Sequence, residues 1–134
     1  LDLNSLAEEF NVTDKVIVFD KMSPEKLRFF YNKCQVFCLP SKATKEEGEE
    51  GIPVVLMEAM ASSMLILTTN NGSICELVDE IVVEQGSVIA LKEGIEAAYS
   101  LIQNGGFDGR VSRDKVETHY SVENVNRLHK HLYE

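Results

Sequence analysis

The sequence predicts an α/β fold, a Rossmann-like parallel sheet with helices on both faces. Three observations carry that prediction. Apolar residues come in short runs that are continuous rather than alternating, as in strands buried on both faces. Segments of helical periodicity lie between the runs, and the connections are short. The chain has 134 residues and is 44% hydrophobic, which suits one domain with a real core over residues 1–134 and is too little for two.

Leu3, Leu6 and Phe10 fit an opening helix, and Val16-Ile17-Val18-Phe19 reads as the first strand. Leu27, Phe30, Tyr31 and Cys34 repeat at helical spacing behind Ser23-Pro24, where serine can cap and proline can take the first helical position. Val36-Phe37-Cys38-Leu39 is the second run, and the charged stretch from Lys42 to Glu50 reads as a loop. Pro53 after Gly51-Ile52 marks the start of another helix, and Met64-Leu65-Ile66-Leu67 is the third run. Asn71-Gly72-Ser73 forms a turn into a helix, with Ser73 and Glu76 at the spacing of a capping box. Ile81-Val82-Val83 is a fourth run and Val88-Ile89-Ala90 a weaker fifth. Leu91, Ile95, Ala98 and Ile102 repeat helically until Gly105-Gly106, and Val122, Val125 and Leu132 fit a last helix.

Thirteen basic residues against twenty-two acidic ones give a formal net charge of -9. That charge disfavours nucleic acid and the anionic face of a membrane. A small anionic metabolite stays open, because a helix start can hold phosphate through backbone N–H groups alone. Cys34, Cys38 and Cys75 are odd in number and lie in or beside apolar stretches, the pattern of reduced, buried thiols in a cytoplasmic protein. The three-residue gap between Cys34 and Cys38 is not a usual zinc pair, and His119, His129 and His131 are distant in sequence, so no metal is expected. No apolar run nears the ~20 residues that span a bilayer. The chain opens on Leu1 rather than methionine, as a piece cut from something longer would.

Folds of this class bind ligands at the carboxyl ends of their strands, which directs attention to residues 20–23, 40–51 and 68–73. The middle stretch leads into the richest segment, Glu50-Gly51-Ile52-Pro53 followed by Val54 to Ala61. Glu58 is the only charge in that apolar helix, which is expected to be buried, where a carboxylate without a partner is costly. Helical side chains lean toward the N-terminus, so Glu58 reaches back toward the helix start, where Glu50 also lies. Two carboxylates bracketing an anion-binding helix start suit a ligand with hydroxyls on both sides of a diphosphate, as in a nucleotide sugar. The residues alone leave alternatives: Glu50 as one of several solvated loop glutamates, Glu58 as half of a buried ion pair, and Lys21-Met22 as an ordinary surface turn.

The segment resembles the E-x7-E motif of retaining GT-B glycosyltransferases of family 4, with Glu50-Gly51-Ile52-Pro53 and Glu58-Ala59-Met60-Ala61 in register and isoleucine where phenylalanine is usual. The flanks are similar too: Val16–Phe19 with Ser23, Leu27 and Tyr31, then Phe37-Cys38-Leu39-Pro40-Ser41, then Leu67 to Gly72 with Glu76-Leu77-Val78. The resemblance covers nearly the whole chain. It departs where the family has glycine at the positions of Asp20, Ser63 and Ser73 and proline at that of Leu65, and in a shorter stretch between Val78 and Leu91.

What the resemblance implies is the donor-binding, C-terminal half of a GT-B fold, lacking its first strands. Glu50 would be the catalytic-site carboxylate holding hydroxyls of the transferred hexose, and Glu58 would hold the ribose hydroxyls. The backbone of Gly51, Ile52, Val54 and Val55 would face sugar and phosphates, and Lys21 and Met22 would lie near the base. The substrate would be a nucleoside-diphosphate sugar, used without a cofactor or an obligatory metal. The family's basic pair for the diphosphate and its acceptor-binding N-terminal domain have no counterpart here. The isolated chain is therefore expected to be inactive, with any membrane contact made through the missing half. A non-catalytic nucleotide-sugar-binding or regulatory module, completed by a separate chain, is the alternative. A nucleotide-sugar epimerase would need acid and base residues that the sequence does not offer.

Overall fold

The computed structural model describes residues 2–43, 51–124 and 126–127. By its contacts the chain divides into two compact units, Leu1–Phe30 and Tyr31–Glu134, and the boundary falls inside one helix. In the first unit α1 (Leu3–Glu9) starts behind Asp2, whose carboxylate accepts the Asn4 N–H at 3.0 Å. Helix α2 (Pro24–Lys33) begins as expected, with the Ser23 hydroxyl accepting from the Lys26 N–H. The Phe19 ring meets Phe30 at 5.3 Å, and the Lys26 ammonium sits 4.1 Å over it. The run Val16–Phe19, expected to be a strand, is not hydrogen-bonded into a sheet, and Val16 and Ile17 are exposed. An apolar run becomes a strand only by pairing, and the ladders formed among the described residues do not include it.

The second unit holds a parallel sheet of three strands in the order β1 (Val36–Leu39), β2 (Leu65–Thr69), β3 (Ile81–Val83). The central strand is buried along its whole length, whereas β1 and β3 are only partly covered. Helix α3 (Val54–Ala61) crosses from β1 to β2, the single turn α4 (Ile74–Leu77) from β2 to β3, and α5 (Val88–Gln103) and α6 (Gly109–His119) follow. Both faces of the sheet carry helices. Ile66 joins Leu56, Met60, Ile74, Leu77 and Val116 in one core cluster, while its neighbour Leu67 faces α5. Gly94 lets α5 approach closely: a Cβ there would stand 2.7 Å from Leu67 Cδ1 and 2.9 Å from Val83 Cγ1.

Several local expectations change. Val88-Ile89-Ala90 is the first turn of α5, not a strand, because the Ser87 hydroxyl caps it by accepting the Ala90 N–H at 3.1 Å. The capping box at Ser73 and Glu76 does not form, since the Ser73 side chain makes no cap bond to its one-turn helix. Helix α6 has no counterpart in the sequence reading: its buried side is only Ser112 and Val116, too sparse for an apolar stripe. It is tied instead to the entry of β3, where the Ser112 hydroxyl donates to Glu80 and the Lys115 ammonium meets Asp79 at 2.7 Å. Of the final expected helix, Val122 lies in a helical turn, and Val125 and Leu132 fall outside the described residues. The three cysteines are free and exposed rather than buried. For Cys38 the reason is its place on β1, an edge of the three-stranded sheet, where an apolar groove of about 380 Å³ lies open between β1 and α5.

The turn from α3 into β2 needs a left-handed residue, and Ser63 occupies it with φ 59°. It stands at a position where the resembled family has glycine, which reaches this conformation without a Cβ penalty. Gly109 packs against the same turn, and a Cβ at Gly109 would overlap the Ser63 carbonyl. Ser63→Gly should stabilise the fold by about 0.5–1 kcal/mol. Gly109→Ala should destabilise it by about 1–3 kcal/mol despite alanine's helix propensity, because a backbone group must move. Denaturant midpoints of the two variants against the parent check both signs.

Candidate functional site

The candidate site is built on the carboxyl edge of the sheet, and its foundation is a set of hydrogen bonds at the end of β2. The Thr68 hydroxyl donates to the Leu39 carbonyl at 2.9 Å, and the Thr69 hydroxyl donates to the Ser41 carbonyl. Both threonines are buried, so each hydroxyl has to find a partner, and the partner is the chain leaving β1. Beyond β3, the Gln85 side chain accepts the Ala43 N–H at 2.8 Å, while the Gln85 N–H donates to the Asn70 side chain at 2.9 Å. The exits of all three strands are thereby joined through side chains.

Helix α3 runs back from this edge. Its N-cap is Pro53, with no side-chain cap bond, so the N–H groups of Val54 and Val55 point out of the first turn without intrahelical acceptors. The helix is not buried on all sides. Leu56, Ala59 and Met60 form the buried face, while Val54 (66% exposed), Val55 (38% exposed) and Glu58 share the opposite one. Positions i, i+1 and i+4 lie within about 100° of one another on a helix, so the only charge of α3 shares its open face with the two first-turn valines. The expected cost of burying Glu58 does not arise, because its carboxylate keeps access to water.

Glu58 has a partner that the sequence did not single out. The Tyr31 hydroxyl, at the unit's first residue, donates to Glu58 Oε2 at 3.0 Å. The ring of Tyr31 lies 5.9 Å from that of Phe37 and packs against the core cluster. Burial of the phenol, and then its hydrogen bond to the Glu58 carboxylate and that group's negative charge, push the Tyr31 pKa up to about 12.

Among the expected site residues, Gly51, Ile52, Val54, Val55 and Glu58 come together around the start of α3. Gly51 is exposed with open space where a Cβ would be, and Ile52 packs against the core. Glu50 lies outside the described residues. Lys21 and Met22 belong to the first unit, where both are exposed just ahead of α2. Thr68 and Thr69 fall in the strand-end stretch 68–73 and Tyr31 in the helical repeat of α2, but no sequence pattern assigns their hydroxyls a task; in the fold they pair with Leu39, Ser41 and Glu58. Among the described residues no helix is long and apolar enough to cross a membrane, and no three His, Cys, Asp or Glu side chains gather as a metal-binding group.

Residues 2–104 match the family described as "Glycosyl transferases group 1". Over 131 residues the chain is 30% identical to the "Putative colanic acid biosynthesis glycosyltransferase WcaL" of Escherichia coli (strain K12), covering 93% of this chain and 32% of that protein. Over 55 residues it is 34% identical to the "Amylovoran biosynthesis glycosyltransferase AmsK" of Erwinia amylovora, covering 41% of this chain and 14% of that one. The chain thus spans about a third of the length of WcaL. Among solved structures, a glycosyltransferase from Rickettsia africae ESF-5 superposes with a TM-score of 0.81 at 18% identity, over 97% of this chain and 34% of that one. The sucrose-phosphate synthase of Thermosynechococcus elongatus does so with 0.77 at 20% identity, over 98% and 33%. Both likenesses show the fold alone.

The Tyr31–Glu58 contact has a titration signature. Subtracting the spectrophotometric titration of a Tyr31→Phe variant from that of the parent should leave a phenolate appearing near pH 12. Glu58→Gln removes a neighbouring negative charge, so it should bring that phenolate in at lower pH. A titration of Tyr31 unmoved by Glu58→Gln contradicts the contact.

Proposed function

We propose, since this chain belongs to the glycosyl transferases group 1 family, that it is the donor-binding half of a retaining GT-B glycosyltransferase that moves a hexose from a nucleoside-diphosphate sugar to an acceptor. One observation carries the reading. A lone carboxylate, Glu58, stands on the open face of an otherwise apolar helix, beside an uncapped helix start at the carboxyl edge of a parallel sheet. A carboxylate accepts hydrogen bonds and a helix start donates them, so together they match a ribose diol joined to a diphosphate.

Each group then has a task in the transfer. Retaining transfer breaks the bond between the anomeric carbon and a diphosphate oxygen and forms a bond to the acceptor oxygen on the same face of the sugar, while the acceptor hydroxyl's proton passes to the departing diphosphate. Negative charge grows on the leaving diphosphate, where the first-turn N–H groups of α3 and the positive end of its dipole stabilise it. Glu58 holds the ribose and Glu50 the hydroxyls of the hexose. A basic pair from the rest of the protein completes the charge balance, and a separate acceptor-binding domain presents the attacking hydroxyl. Alignment of that hydroxyl by the acceptor-binding domain can account for ~7–11 kcal/mol of barrier lowering.

The reading makes distinct demands on neighbouring residues. In the full-length protein, Glu58→Gln should weaken nucleoside diphosphate binding roughly tenfold to a hundredfold, the equivalent of losing a hydrogen bond to a charged group. Glu50→Ala should spare that binding and sharply reduce transfer, whereas Glu49→Ala should change neither. Calorimetry with nucleoside diphosphate and a radiolabelled-donor assay read the two properties separately. Binding without any Glu50-dependent turnover in the full-length protein points instead to a nucleotide-sugar-binding module that catalyses nothing. The isolated chain should bind nucleotide sugars weakly and transfer sugar to no acceptor, and turnover by it would show that it holds more of the active site.

A further inference from the structure

We infer that Tyr31 is a positioning residue for nucleotide binding: its hydroxyl holds the Glu58 carboxylate in the orientation that receives the ribose hydroxyls. The inference rests on the reading of Glu58 as the ribose ligand and adds a residue to it.

The geometry supplies the reasons. A glutamate on an exposed helix face has three side-chain torsions to settle, and an unheld carboxylate spends much of its time pointing away from any ligand. Glu58 is exposed in this way, yet the Tyr31 hydroxyl donates to its Oε2 at 3.0 Å. The donor is itself fixed. The ring of Tyr31 is held against Phe37 and against the core cluster under α3, so its hydroxyl is a rigid post rather than a second mobile group. One hydrogen bond uses one of the roughly four lone-pair positions of a carboxylate, which leaves Oε1 and half of Oε2 for the two hydroxyls of a ribose. With its pKa near 12, the phenol stays protonated at neutral pH and remains a donor to the carboxylate. Holding one oxygen and freeing the other is the preorganisation that limits the entropy lost when a ligand binds.

Tyr31→Phe keeps the ring and removes only the post. The full-length protein, Tyr31→Phe, Glu58→Gln and the double variant are titrated calorimetrically with uridine, guanosine and adenosine diphosphates. The nucleotide that binds most tightly is then compared with its 2′,3′-dideoxy counterpart. The expected result is a loss of about threefold to tenfold for the ribonucleotide in Tyr31→Phe, with the dideoxynucleotide unaffected. A smaller further loss should follow when Tyr31→Phe is added to Glu58→Gln, because the post then holds a neutral amide that is itself the weaker ribose ligand. Equal ribonucleotide affinity in parent and Tyr31→Phe overturns the inference, and so does an equal loss for both nucleotides, which marks general loosening of the fold. If Glu58→Gln abolishes the preference for ribose while Tyr31→Phe leaves it, the Glu58 reading stands and Tyr31 falls. If the parent shows no preference for ribose, or binds none of the three nucleotides, both fall together.

Discussion

Two buried threonine hydroxyls at the end of β2 fix the path of the chain as it leaves β1. Thr68 and Thr69 cannot reach water, and each satisfies its hydroxyl on a carbonyl of the chain emerging from β1. The requirement to pair a buried donor thus becomes a positional constraint on the backbone from Leu39 to Ser41. It holds because β2 is the central strand, covered on one face by α3 and on the other by α5, with Gly94 allowing the close approach. A looser sheet would let water reach the threonines and would release the constraint. The hydrogen bonds from Ala43 to Gln85 and from Gln85 to Asn70 extend the same logic to the third strand.

Helix α3 shows how one element can serve both the core and a site. Its buried face supplies Leu56, Ala59 and Met60 to the cluster, and its open face carries Glu58 with Val54 and Val55. The division lets a carboxylate sit in a helix that is otherwise apolar without the cost of desolvation. The exposed valines at the helix start leave the first-turn backbone N–H groups beneath them without side-chain acceptors. Side chains with polar ends there would compete for the first-turn N–H groups, as Asp2 and Ser87 do at the starts of α1 and α5.

The α/β class and the three paired strands were legible because continuous apolar runs have few other uses in a chain this short, and α2, α3 and α5 because their periodicity or their proline was strong. The register of the resemblance rests on Glu50, Gly51, Pro53 and Glu58 taken together. What escaped has physical causes. Val16–Phe19 has the composition of a strand, but composition does not provide a ladder partner. Val88–Ala90 looks like a strand in isolation, and a single capping serine converts it to helix. Helix α6 is held by Ser112 and Lys115 reaching across to Glu80 and Asp79, contacts no apolar stripe announces. Tyr31 was visible as one more apolar position on α2, and only the folded arrangement shows its hydroxyl facing a carboxylate 27 residues away in sequence. The exposure of Glu58 was misjudged because hydrophobicity of the surrounding residues says nothing about which face of a helix a neighbour covers.

The two crossovers of the sheet differ in length, and the difference bears on how the fold assembles. Val36 pairs with Leu65 across a crossover that includes α3, whereas Leu67 pairs with Ile81 across about half as much chain, containing only the single turn α4. Loop closure grows slowly with length, and a doubling costs about 0.6 kcal/mol. The shorter crossover therefore has only a small entropic advantage, a few-fold in an equilibrium constant. Which strand pair condenses first is left to side-chain contacts, and β2 holds most of them. A chain growing from its amino end exposes β1 before β2 exists, so β1 must wait for its partner to be made, while β3 can dock almost as soon as it follows. During synthesis the β1–β2 ladder consequently waits longer for its second strand than the β2–β3 ladder does.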